Sequence, residues 1–246
     1  MTARRPGRIL RRVQIVAFGG GGFSMEAGNP LLDDYVLGLP QAERPKVCFL
    51  PTASGDADHY IVRFYRAFSP ERCQPSHISL FRRDRTAPDP EEHLLQQDVI
   101  YVGGGNVTSL LGVWRAHGLD TVLAEAWRRG TVLAGLSAGS LCWFSEAVTM
   151  YNQSRPPAPI DGIGLLPYSN CVHVDAEPRR LEAYRELVAD GMTPGYAAED
   201  SAALHFVGTD LHRVVTSRPK AKAYRVAPGE VTPLESHFLG PVAVAA

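Results

Sequence analysis

Short apolar, β-rich runs alternate with amphipathic stretches through the first 145 residues. The runs are VQIVAF at 13–18, KVCFLP at 46–51, SHISLF at 76–81, DVIYVG at 98–103 and TVLAG at 131–135. Between them, 57–68, 107–116 and 119–129 carry apolar residues at helical spacing, as in Leu119, Val122, Leu123 and Ala126. This alternation predicts crossover units and a mostly parallel sheet with helices on both faces, an α/β fold. Ligands in such folds sit beyond the carboxyl ends of the strands.

After residue 145 the texture changes. NQSRPPAPIDGIGLLP is rich in Pro and Gly and reads as a long loop. A helix is predicted at 178–190, opened by Pro178 in its first turn. SAALHFV, LHRVVTS and KAYRVA then read as a closing set of antiparallel strands. No internal repeat or low-complexity linker interrupts the chain, so residues 1–246 are expected to form one α/β domain behind a basic tail at 1–12.

Charge narrows the partners. The 246 residues carry 25 Lys and Arg against 26 Asp and Glu, a net charge of -1, which offers no general attraction to nucleic acid or an anionic membrane. The tail holds Arg4, Arg5, Arg8, Arg11 and Arg12, but the apolar run behind it is too short for a signal sequence and runs straight into glycines. No window approaches the ~18 uninterrupted apolar residues of a membrane span. Cys48, Cys73, Cys142 and Cys171 are far apart with no C-x-x-C pair, which points to a reduced, cytoplasmic setting.

Three glycine-rich stretches follow strands. Gly19 to Gly22 lack the G-x-G-x-x-G spacing, since Ser24 stands where the last glycine would be, and no Walker lysine follows, so the run reads as a tight turn. In VGGGNVTSL, three glycines end a strand and Asn106 can cap the helix beginning near Val107. Glycines there allow a backbone N–H to point into a site and stabilise an oxyanion, aided by the field of the helix N-terminus. The third stretch, Gly135-Leu136-Ser137-Ala138-Gly139, matches G-x-S-x-G, the pattern that presents a serine on a sharp strand-to-helix turn. An apolar run precedes it, and AGSLCWFSEAV is expected to continue as a helix.

A serine nucleophile needs a base, and the base an orienting acid. Of the eight histidines, His173 follows an apolar segment and precedes the helix at 178–190, where sites gather in this architecture. Glu199 and Asp200 stand at the edge of a late strand, while Asp161, Asp175 and Glu177 are loop carboxylates nearer His173 in sequence. An esterase-like order of Ser137, Asp161 or Asp190, then His205, His212 or His237 is a rival, and a non-catalytic binding domain is a second.

Four segments in order, IYVGGGNVTSLL, AGLSAGSLCWF, VHVDAEPRR and AAEDSAALHF, resemble the peptidase E (aspartyl dipeptidase) family, whose relatives include the cyanophycinases. The resemblance runs from about Val13 to Tyr224. It implies a three-layer, flavodoxin-like scaffold related to the class I glutaminases, hydrolysis of short peptides, and no metal or organic cofactor. Carried over residue by residue, it makes Ser137 the nucleophile, His173 the general base and Asp200 the acid, with Glu199 its competitor. The oxyanion donors become Ala138 and one of Gly104 or Gly105, with Asn106 beside the substrate. An acidic loop position of the family is Gln153 here, and the segment after the histidine, which in the aspartyl dipeptidases carries an arginine for the substrate's N-terminal aspartate, is compressed to VDAEPRR. Arg179 or Arg180 is left to supply that charge. A small peptide is thus the expected partner, and self-association as a homodimer stays open.

Overall fold

A computed structural model describes residues 12–82, 88–150 and 156–241. Gln153 and most of the basic tail lie outside the described residues.

The first half of the chain builds a layered α/β unit in the expected order. Strand β1 (Gln14–Phe18) leads through the glycine run into the short α1 (Gly22–Met25) and α2 (Leu31–Leu37). β2 (Lys46–Leu50), α3 (Asp58–Ala67), β3 (Gln74–His77), α4 (Pro90–Leu94), β4 (Val99–Val102), α5 (Val107–His117), α6 (Leu119–Arg128) and β5 (Val132–Leu136) follow. β1, β5, β4, β2 and β3 lie side by side in that order, each pair parallel. Residues alternate between two buried faces along β1. Ile15 and Ala17 pack toward α5 and α6, and Val16 and Phe18 toward α2 and α3. Burial on both faces is why β1, β2, β4 and β5 read as unbroken apolar runs; β3, at the sheet edge, is the partly exposed QPSH.

The short α7 (Ala138–Leu141) then leads to β6 (Phe144–Thr149), β7 (Ala158–Asp161), β8 (Leu166–Val172), α8 (Pro178–Ala189) and β9 (Gly195–Ala198). β10 (Ala202–Val207), β11 (Asp210–Thr216), β12 (Ala223–Ala227), β13 (Glu230–Pro233) and β14 (Ser236–Phe238) complete the chain. β10 and β11 extend the first sheet antiparallel beyond β1, giving eight strands in the order β14-β11-β10-β1-β5-β4-β2-β3. The remaining strands form a second sheet of six, ordered β13-β12-β9-β8-β6-β7, in which β6, β8 and β9 run parallel. The sheets meet where Phe206 of β10 contacts Phe144, Tyr168 and Tyr196.

The second sheet corrects two expectations. The helix expected to continue from the serine turn stops at Leu141, and Phe144–Thr149 becomes strand β6 because it finds partners on both sides, β7 and β8. Tertiary pairing here overrides local helical preference. The segment read as a long loop contains β7 and the start of β8. Pro159 is tolerated because β7 is the edge strand, where a missing N–H breaks no ladder. KAYRVA, expected beside the other late strands, pairs instead with β9 in the second sheet.

Candidate active site

Ser137 sits at the carboxyl end of β5 with φ 54 and ψ −116, conformational strain that a non-glycine residue adopts only where its surroundings enforce it. Two glycines make the enforcement sterically feasible. A Cβ on Gly135 would collide with the Gly139 carbonyl, and one on Gly139 with the Val102 carbonyl. α7 therefore packs against β5 and β4 more closely than any larger residue would permit. The Ser137 N–H donates to Phe18 O of β1 at 3.3 Å, so the turn is also tied to the neighbouring strand.

His173 directly follows β8 and has φ 58, a second strained residue. Its Nε2 lies 2.8 Å from Ser137 Oγ, and its Nδ1 lies 2.5 Å from Asp200 Oδ1. With an ionised carboxylate accepting from Nδ1–H, the Nε2 lone pair faces the serine O–H. The imidazole and the Asp200 side chain are 16% and 25% exposed, sheltered yet reachable from solvent.

Three contacts hold Asp200 in place. Asp175 Oδ1 accepts from the Asp200 N–H at 2.8 Å, and Ser201, with φ 67, donates its N–H to Gly20 O at 3.2 Å. Gly20 itself lies against the pair, since a Cβ there would strike Asp200 Oδ1 and stand 2.9 Å from His173 Cε1. The run read as a tight turn is thus a bed for the histidine and its acid. Sequence reasoning missed this role of Gly20, and it missed Asp175 as the partner of the Asp200 backbone.

Glu199 turns the other way. Its carboxylate accepts from the Lys222 N–H at 2.8 Å and the Tyr224 hydroxyl at 2.7 Å, which ties β9 to β12. Burial first, and then the Glu199 carboxylate, push the Tyr224 hydroxyl up to about 12. Although adjacent, the two side chains point to different partners, Glu199 to the start of β12 and Asp200 to His173.

The glycine loop after β4 is pinned at several points. Gly103 donates to Leu50 O at 3.1 Å, Gly104 to the Tyr60 hydroxyl at 3.0 Å, and Asn106 to Ala53 O at 2.8 Å. Gly105, with φ +141, and Ala138 have no acceptor for their N–H groups among the described hydrogen bonds. Gly104 is engaged and Gly105 is not. Asn106 caps α5, its Oδ1 accepting from the Ser109 N–H at 2.8 Å.

Arg179 is exposed in the first turn of α8, whereas Arg180 folds back so that Nη1 donates to Val172 O at 3.2 Å. None of the histidines of the esterase-like order bonds Ser137 among the described contacts. His205 is buried in β10 and bonds Tyr35 and Gln14 instead. Among the described residues no cluster of three or more His, Cys, Asp or Glu could hold a metal ion, and no helix is long and apolar enough to cross a membrane.

Behind the turn, Ser140 and Asn170 are both fully buried, and Asn170 Nδ2 donates to Ser140 Oγ at 3.0 Å. This bond joins the helix that follows the serine to the strand that ends at the histidine. Neither residue carried a signal in the sequence, because a buried Ser or Asn has no periodic mark.

The chain is 48% identical over 232 residues to the uncharacterized peptidase YgaJ of Bacillus subtilis (strain 168), covering 92% of this chain and 99% of that protein. It is 28% identical over 186 residues to a peptidase E of Streptomyces coelicolor, covering 71% and 73% of the two chains. The fold resembles the crystal structure of a peptidase from an acI-B1 Actinobacterium, with a TM-score of 0.70 at 18% identity and coverage of 92% and 95%. A putative peptidase E from Listeria monocytogenes EGD-e gives a TM-score of 0.60, also at 18% identity, over 84% and 98%. Residues 15–214 match the description of peptidase family S51, and the chain belongs to that family of serine peptidases.

Proposed function

We propose that this peptidase hydrolyses short peptides through Ser137, His173 and Asp200 by way of an acyl-enzyme. The observation that carries the reading is the continuous chain from Ser137 Oγ to His173 Nε2 at 2.8 Å and from His173 Nδ1 to Asp200 Oδ1 at 2.5 Å. His173 takes the serine proton as Oγ attacks the peptide carbonyl, and Asp200 stabilises the imidazolium and keeps the ring in the required tautomer. The carbonyl oxygen becomes the oxyanion, received by the N–H groups of Ala138 and Gly105, both free of acceptors among the described bonds. His173 then gives its proton to the leaving amine, and water enters by the reverse sequence to release the acid and restore the serine.

Gly104 was the alternative donor, but its N–H is committed to Tyr60, which favours Gly105. The commitment of Arg180 to Val172 O favours Arg179 as the cation for a substrate carboxylate such as an N-terminal aspartate. A dipeptide library assayed with wild type and Ser137→Ala tests the reading. Wild type is expected to cleave a subset of peptides, and the variant to lose several orders of magnitude in rate with its fold intact. Turnover by Ser137→Ala at more than a few per cent of wild type would rule out covalent catalysis there.

A further inference from the structure

We propose that Tyr60 is a positioning residue for the oxyanion loop, its hydroxyl fixing the orientation of the peptide that carries the Gly105 N–H; this rests on the serine mechanism above. Tyr60 lies on α3, 7% exposed, and bonds none of Ser137, His173 and Asp200 among the described hydrogen bonds. Its hydroxyl accepts from Gly104 N–H at 3.0 Å.

The loop needs such a pin. Gly103, Gly104 and Gly105 stand in a row, and glycine crosses between backbone regions with little steric cost. If the peptide between Gly104 and Gly105 rotated, a carbonyl oxygen would stand where the Gly105 N–H is needed, and a developing negative charge would meet a repulsive dipole. The peptide on one side is held by Tyr60, and the peptide on the other by the bond from Asn106 N–H to Ala53 O. With both neighbours held, the Cα atoms about which the middle peptide would turn are anchored, and its rotation is restricted.

The phenol is placed for this purpose by close packing. A Cβ on Gly103 would stand 2.8 Å from Tyr60 Cε1, so the loop rests directly on the ring. The ring packs edge-on to Phe49 at 5.2 Å between centroids and tilted against Phe23 at 5.5 Å. Packing alone would be served by phenylalanine. A tyrosine here must bury a hydroxyl, which is costly without partners, and the loop N–H is one of them. Burial also pushes the hydroxyl above its ordinary range, so it stays neutral.

Tyr60→Phe keeps the ring and removes the pin. Two readouts are made on the full chain with wild type alongside: the rate at which a fluorophosphonate labels Ser137, and the affinity for a peptide aldehyde relative to that for the corresponding product acid. Both the phosphonylation transition state and the aldehyde adduct place an oxygen in the oxyanion hole, whereas the product acid does not require it. Loss of one hole donor costs about 10²–10³ in rate, and loosening one is expected to cost roughly tenfold or more. The expected result is a fall of that size in labelling and aldehyde affinity, with acid affinity and thermal midpoint little changed. Equal labelling of variant and wild type overturns the inference, as does a parallel fall in aldehyde and acid affinity. Failure of wild type itself to be labelled at Ser137 overturns the serine mechanism and this inference together.

Discussion

Gly20 and Asp200 are packed so closely that no side chain fits between them: a Cβ on Gly20 would strike the carboxylate oxygen that faces His173. The backbone of Gly20 is not in the left-handed region, so glycine is required there for space and not for conformation. Gly20→Ala is therefore expected to displace Asp200 or the imidazole and to lower kcat about 10²-fold or more, since an error of ~1 Å in alignment has that cost. Comparing kcat with the thermal midpoint checks it; a variant with normal turnover would show that the glycine bed is not needed.

The two adjacent carboxylates should separate cleanly. Asp200→Asn retains shape but cannot hold the imidazole tautomer or stabilise the imidazolium, and a loss of about 10⁴ in kcat is expected. Glu199 bonds Lys222 and Tyr224 and does not touch His173 among the described contacts. Glu199→Gln should leave kcat within about threefold and act instead on stability, by about 1 kcal/mol for a weakened hydrogen bond. It should also let Tyr224 ionise at lower pH, because the Glu199 carboxylate helps to hold the hydroxyl above its ordinary range, and ultraviolet titration of tyrosine reads that shift. Equal kcat losses in the two variants would remove the distinction.

Ser140 and Asn170 should behave as a coupled pair. Their bond is buried between α7 and β8, and Asn170 Oδ1 has no hydrogen-bond partner among the described residues, so Ser140→Ala leaves a second polar group of the asparagine unmet. The single variants are expected to cost about 1–3 kcal/mol each, with the double variant well short of their sum. Denaturant unfolding of the four proteins measures the coupling, and additivity would mean that the bond contributes nothing.

Strands β1, β2, β4 and β5 were legible because burial on both faces leaves an unbroken apolar run, as in the VIYV of β4, whereas β3 is the partly exposed edge strand QPSH, and the run expected as a strand at 76–81 meets it only at Ser76 and His77. The second sheet was not legible, because its members include the four-residue APID and GYAA, which carry too little apolar pattern to declare a strand. Pairing with β6, β8 and β12 makes them strands, and pairing is invisible along the chain. At the site, the G-x-S-x-G turn was legible because its spacing is local. The choice between Glu199 and Asp200 could only be posed, since it depends on which carboxylate finds Lys222 and Tyr224 and which finds His173. Gly20 and Tyr60 escaped for the same reason: what each touches lies far away in sequence.

Two buried groups should give the stability of the protein opposing pH dependences in one window. His205 accepts the Tyr35 O–H at Nδ1, 2.7 Å away, and donates from Nε2 to Gln14 Oε1 at 3.1 Å, an arrangement that suits the neutral ring. Burial, then His212 and Arg213, push it down to about 4. Its contribution is fully present above the ordinary histidine value of about 6.5 and is lost as pH falls toward 4. Asp33, buried beneath α1 with its Oδ1 accepting from the Tyr101 hydroxyl at 3.0 Å, is raised by burial to about 7. Its contribution is fully present below the ordinary aspartate value of about 4 and is lost as pH rises through 7. Asp33→Asn, which keeps an acceptor for Tyr101, should therefore gain stability over wild type near pH 8 and lose that advantage near pH 4, so its decline on acidification is steeper. His205→Gln should have the opposite effect on slope, with a shallower acid decline than wild type. Each difference is on the order of a few kcal/mol across the window. Thermal midpoints of the three proteins from pH 4 to pH 8 read both slopes, and variant curves parallel to wild type would show that neither group titrates across the range.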